Sequence, residues 1–308
     1  MRTTLATLVA TGVLGASLTA CLQPDDGPAA IGRALPTAAD VKIDLPESAS
    51  TSGVVGQLSP WYVATRDVTR VLNGGTAYVL ILVHTIVLFP PTTVSGDTYV
   101  WGPHSQALDP AEWRLTVTQQ PDGSYDWALD GRSKTEPGAQ FETVIGGNAV
   151  PGGTGTFALD FDAAERVNPR ENEGRGVIGA IYDVPARTLH LDVDTVEDHG
   201  GTLTPVHYDY AYREAVDGGG DMVFSIFADT DDAGPNPEEA TLRSRWQSTG
   251  AGRADIRLRN GDLPAQITAS DCWDTMFRRV YYTDSASWLP TEGDASACVF
   301  ADVSLPGT

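Results

Sequence analysis

The chain has 308 residues, with 20 basic and 41 acidic side chains and a formal charge of −21. That excess of negative charge excludes nucleic acid and anionic lipid headgroups as general partners and leaves divalent cations open. No GxSxG, HExxH or CxxC sequence occurs, so the strongest hydrolase and metal or redox signatures are missing.

The first residues carry one cation, Arg2, then an apolar and small-residue stretch from Leu5 to Leu18. It is shorter than the roughly 20 apolar residues of a membrane span and reads as the core of a signal peptide over residues 1–20. The tetrapeptide Leu18-Thr19-Ala20-Cys21 resembles the lipobox of bacterial lipoproteins. The resemblance covers 21 residues and implies that the signal is removed and that Cys21 receives a diacylglycerol, its new amine being acylated with a chain such as palmitate. The protein is then exported and lipid-anchored to the bacterial membrane. Leu22 follows in place of the aspartate that retains such proteins at the inner membrane, which implies the outer membrane where a cell has two. Losing Arg2 with the signal takes the charge from −21 to −22. Two cysteines remain, Cys272 and Cys298, an even pair in a compartment that permits disulfides, and neither has a second cysteine or histidine at zinc spacing. They are expected to form a disulfide.

Residues 21–57 are rich in Pro, Ala, Ser, Gly and Asp with little apolar periodicity and read as a flexible tether. A single globular domain is expected over 58–308, beginning with a helical segment at 58–92. Ser59-Pro60 is a helix start, and Trp61, Ala64, Val68, Val71 and Leu72 share a face. Asn73-Gly74-Gly75 is expected to end that helix, and Thr76 to cap a second segment, Ala77 to Phe89, closed by Pro90-Pro91. This second segment is apolar all round and too short to span a membrane, so burial inside the protein is expected. Helix is preferred for it, with strand as the alternative. His84 at its centre reads as a core histidine.

Residues 97–308 alternate apolar and polar positions between turns, the pattern of an antiparallel β-domain. Trp113, Leu115 and Val117 alternate, Pro121-Asp122-Gly123 turns the chain, and Tyr125, Trp127 and Leu129 share a face. Phe157, Leu159 and Phe161 repeat the arrangement, as do Leu189, Leu191 and Val193. The fold expected is mainly β (α+β): one large curved antiparallel meander of about eleven strands, with one or two N-terminal helices packed on one face.

Three polar features carry possible chemistry. Pairing around the turn at Gly200-Gly201 sets Asp194 opposite His207 and Asp192 opposite Asp209, with His190 and Arg213 on the same face. Two histidines and three carboxylates suit a divalent cation or general acid–base work, against the alternative of a solvated outer face. The preceding fragment, His199-Gly200-Gly201, reads as a hairpin turn. Asp229, Asp231 and Asp232 lie at calcium-like spacing, followed by Glu238 and Glu239, but Ala233 and the absence of flanking helices depart from the EF-hand and leave a solvated acidic turn as the alternative. Arg243, Arg245, Arg257 and Arg259 form a basic stripe opposite Leu242, Trp246, Ile256 and Leu258. With the turn centred on Gly250-Ala251-Gly252, Arg257 is expected opposite Arg243 and Asp255 opposite Arg245, the arginines serving a carboxylate or phosphate ligand or being neutralised by acidic neighbours.

An exported lipoprotein with a helix against one long curved sheet resembles, in architecture alone, the half-barrel carriers of lipids and lipoproteins in the bacterial envelope. That resemblance implies a noncatalytic envelope lipoprotein that binds a hydrophobic ligand or a partner protein in the cleft between the apolar segment and the sheet. Two alternatives stand beside it: a metal-dependent surface hydrolase using His190, Asp192, Asp194, His207 and Asp209, and a structural surface protein without a small ligand. Apart from a possible calcium ion, no cofactor is expected.

Overall fold

The computed structural model describes residues 27–35, 37–46, 57–105, 109–170, 172, 174–198, 203–228, 236–302 and 305. The signal peptide, Cys21, the turn at 199–202 and the acidic loop with Asp229, Asp231 and Asp232 lie outside the described residues.

Two helices precede the sheet, α1 (Gly27–Ala34) and α2 (Pro60–Val87). The strands follow as β1 (Thr93–Ser95), β2 (Thr98–His104), β3 (Ala111–Gln119), β4 (Tyr125–Ser133), β5 (Glu142–Ala149) and β6 (Thr154–Asp160), then helix α3 (Phe161–Val167). The series continues with β7 (Val177–Asp183), β8 (Thr188–Asp198), β9 (Leu203–Glu214), β10 (Gly220–Ala228), β11 (Glu238–Trp246), β12 (Gly252–Asn260), β13 (Ile267–Trp273), β14 (Arg279–Asp284) and β15 (Glu292–Gly293). All fifteen strands join one antiparallel sheet, each beside its neighbours in sequence. The fold is thus mainly β and a meander, with more strands than the alternation reveals. β1 and β15 are short and exposed, and β5 contains Gly146-Gly147, so none of them carries much period-2 signal.

The expected break at Asn73-Gly74-Gly75 does not occur: α2 runs unbroken from Pro60 to Val87. Ser59 caps it as expected, its hydroxyl accepting from the Tyr62 amide. Each glycine costs a helix about 1 kcal/mol, which tertiary contacts offset. One such contact is local to the glycines: the Asn73 amide donates to the Ile43 carbonyl at 2.9 Å and accepts from the Ile43 amide at 2.8 Å. Ile43 belongs to the stretch read as a tether, and that reading is corrected here. Gly27–Ala34 is helical, and Ile31, Ala34, Leu35, Val41, Ile43 and Leu45 are buried in the core. These apolar residues are spaced irregularly, so no period announces them. A second correction concerns Phe161, which continues the strand pattern in sequence but starts α3, because Asp160 accepts from the Ala163 amide and caps the helix.

The core lies between the helices and one face of the sheet. Tyr62, Val83 and Val87 of α2 join Leu115, Val117, Trp127, Leu129, Leu191, Tyr210, Leu242, Ile256 and Trp273 in a single cluster. Such side chains contribute roughly 1.5–3 kcal/mol each on burial. At the start of α2, Tyr62 stacks on Phe277, and Ser59 bonds to Asp271 on β13. Just past its other end, the Phe89 carbonyl accepts from the Trp101 indole on β2. Eleven interstrand steps separate β2 from β13, about 53 Å if the sheet were flat, while 28 helical residues rise only about 42 Å. The helix is the chord and the sheet is the arc, which bends around α2.

Candidate functional site

Strands β8 and β9 pair in the register expected from the turn between them: Asp194 faces His207, Asp192 faces Asp209, and His190 faces Ala211. Alternation sends Leu189, Leu191, Tyr210 and Tyr212 into the core and leaves the His/Asp ladder on the outer face. His190 Nε2 lies 2.9 Å from Asp209 Oδ2, and His207 Nδ1 lies 2.9 Å from Asp194 Oδ1. His207 Nε2 is 3.9 Å from Asp192 Oδ2. Ligand atoms of Asp192, Asp194 and His207 all fall within 4.8 Å of one another. One nitrogen and two oxygens suit a borderline divalent ion such as zinc. His190 and Asp209 form a second pair beside this trio and are not part of it. Next to the ladder, Ile181, His190, Ala211, Arg213, Val223 and Arg243 line a shallow depression of about 620 Å³.

The basic stripe is arranged differently from its expectation. β11 and β12 pair with Arg243 opposite Asp255, Arg245 opposite Arg253, and Thr241 opposite Arg257, two residues out of the expected register. Gly252 does not belong to the turn; it pairs with Trp246 inside the strand, where a methyl group would collide with the Trp273 ring. The turn glycine is Gly250, at φ 93°. Acidic neighbours take up the arginines: Arg243 bonds to Asp221, Arg259 to Glu239, and Arg245 and Arg253 both to Asp255.

Asp255, expected opposite Arg245, pairs in register with Arg243 yet still bonds to Arg245, and it is the centre of a hub whose other members sequence reasoning missed. It is buried and accepts from Arg253 at 2.7 and 2.9 Å, from Arg245 at 3.1 Å and from the Ser270 hydroxyl at 2.7 Å. The C-terminal segment covers this hub. The Ala301 carbonyl accepts from Arg245, Asp302 accepts from Arg253, and the Arg245 guanidinium sits 5.2 Å from the Phe300 ring centroid. The Cys272–Cys298 disulfide, present as expected, ties this segment to β13. Burial lowers the pKa of Arg245, opposed by Asp255.

Asp271 is the second missed group. It is fully buried on the inner side of β13, between Ala269 and Trp273, and burial pushes its pKa up to about 6 against the hydrogen bonds from Ser59 and the Trp61 amide. Its inward parity with those two apolar neighbours was the available signal.

Among the described side chains, those of α2 that face the sheet are packed against it and leave no cleft beside them. Tyr62, Val83 and Val87 are at most 4% exposed. Segment 37–46 closes over β9 to β11, with the Asp44 amide donating to the Tyr212 hydroxyl and the Asp44 carbonyl accepting from the Trp246 indole. Compared with known proteins, the chain matches no protein-family model, no curated protein and no solved structure.

Proposed function

We propose that this chain is a lipid-anchored protein of the bacterial envelope, held by acyl chains on Cys21, that binds a partner protein through the outer face of its sheet. The observation that carries the choice of face is the packing of the inner one: Tyr62, Val83 and Val87 of α2 and Val41, Ile43 and Leu45 of segment 37–46 are buried against it. A hydrophobic ligand would have to displace that core. The outer face instead offers paired polar groups on the strands, beside a depression whose lining includes Ala211 and Val223. Photo-crosslinkers placed at Ile181 and Phe227, with one at Trp288 as control, test this in cells. A discrete crosslinked species from the first two and not from Trp288 supports the reading, and equal labelling from all three counts against it.

The convergence of Asp192, Asp194 and His207 supports a second reading, a metal-dependent surface hydrolase. Its test is elemental analysis of protein purified without chelator, together with His207→Ala. Stoichiometric zinc or manganese lost in the variant favours it, and metal-free wild-type protein that takes up none at micromolar zinc removes it.

A further inference from the structure

Leu88, Phe89 and Val94 are 82, 64 and 55% exposed. They follow directly on the buried end of α2, where Val83 and Val87 belong to the core, so the apolar surface turns outward within one residue. The tip is held firmly. Trp101 Nε1 donates to the Phe89 carbonyl at 2.7 Å, the Thr92 amide to the Val100 carbonyl at 2.7 Å, and the Gly102 amide to the Thr92 hydroxyl at 3.0 Å. Pro90-Pro91 stiffens the chain between them.

Charge sets the tip apart as well. In a chain with 41 acidic residues, no carboxylate occurs between Asp67 and Asp97. Leu88 and Phe89 can therefore approach a lipid surface with less repulsion than the rest of the protein would meet, with Asp97 at the far turn of the Val94 hairpin.

Where the anchored end of the chain lies decides the occupant. α1 packs against the last turn of α2, with a methyl group at Gly32 falling 3.7 Å from Val87 Cγ2. Gly27 begins α1, six residues after Cys21. Six extended residues reach about 21 Å, and the five helical steps from Gly27 to Gly32 add about 8 Å. Chain length thus ties Cys21 to within about 29 Å of Gly32, which sits against the end of α2, so a bilayer holding its acyl chains is within the tip's reach.

We infer that Leu88, Phe89 and Val94 form a second membrane contact, dipping into the interface of the bilayer that carries the Cys21 lipid and pointing the C-terminal end of α2 at the membrane. The inference rests on the lipid-anchor reading. The acyl chains on Cys21 suffice for anchoring but leave the domain free to tumble on its linker, so the protein-borne contact serves to fix orientation.

The test uses the full chain, made in bacteria and reconstituted in phosphatidylcholine vesicles, with a bimane label at Leu88→Cys or, as control, at the 91% exposed Val216→Cys. Iodide quenching is expected to fall at least threefold on vesicles for the label at 88 and to stay unchanged for the label at 216. Equal quenching at both positions overturns the inference. So does protection at 88 that needs no vesicles and grows with protein concentration, which marks a second copy of the chain. The anchor reading fails separately if the Cys21 peptide carries no acyl mass; the label at 88 must then still lose iodide access on vesicles for the tip contact to stand.

Discussion

The Ser59 hydroxyl donates a 2.6 Å hydrogen bond to the Asp271 carboxylate across 212 residues of sequence, joining the N-cap of α2 to the inner face of β13. The same hydroxyl accepts from the Tyr62 amide, and Asp271 also accepts from the Trp61 amide. The first turn of the helix is thus held by a carboxylate from the sheet, the end of the dipole that favours negative charge.

Burial nevertheless dominates at Asp271 and raises its pKa to about 6 from 3.8. The folded state then keeps this proton at a pH where the unfolded chain has lost it. The contribution of Asp271 to stability is fully present below about pH 4 and is lost as pH rises through about 6, by up to about 3 kcal/mol. Urea midpoints for wild type and Asp271→Asn between pH 4 and 7.5 check this. The variant should lack that decline, and identical slopes in the two proteins would refute the assignment.

Asn73 fastens segment 37–46 to the middle of α2 through both hydrogen bonds to Ile43. Asn73→Ala leaves a part-buried amide and carbonyl without these partners, at a cost of about 2 kcal/mol. Limited proteolysis should cut the variant first within 37–46. Cleavage elsewhere, with an unchanged unfolding midpoint, would show that the segment is held by packing alone.

Much of this architecture was legible because alternation has a strict period. Asp194 against His207 and Asp192 against Asp209 are register pairs that a turn position dictates. The same reasoning slipped by two residues at β11 and β12, since Gly252 is required by the Trp273 ring and not by the turn. Gly74 and Gly75 failed to end a helix because long-range contacts outweigh their local cost. The buried residues of the N-terminal segment were hidden by the absence of any period, since Ile31, Val41 and Ile43 are placed by the surfaces they meet. At the site, the ladder of His190, Asp192, Asp194, His207 and Asp209 could be read from strand pairing. The Asp255 hub could not, because its cover arrives from residues 300–302.

Asp255 neutralises two buried guanidinium groups at once. Asp255→Ala removes the shared partner and leaves Arg245 and Arg253 poorly compensated, so a loss of about 3–5 kcal/mol is expected. Chemical denaturation measures it. A loss below about 1 kcal/mol would mean that water reaches the cluster.

The disulfide closes a 26-residue separation, worth about 3 kcal/mol in the chain-entropy model. Cys298→Ser should lower stability by that amount and free Phe300, Ala301 and Asp302 from the arginines beneath. Faster amide exchange confined to the C-terminal segment and to β11–β13 is the expected signature. Unaltered exchange there would mean that the contacts of Phe300, Ala301 and Asp302 hold the segment without the covalent tie.

Native mass spectrometry of the full chain, extracted in mild detergent and compared with its denatured mass, tests the central claim most directly. The account predicts a protein beginning at Cys21 that carries covalent acyl chains and has the same mass under both conditions. A stoichiometric lipid lost on denaturation, or a Cys21 without acyl mass, would contradict it.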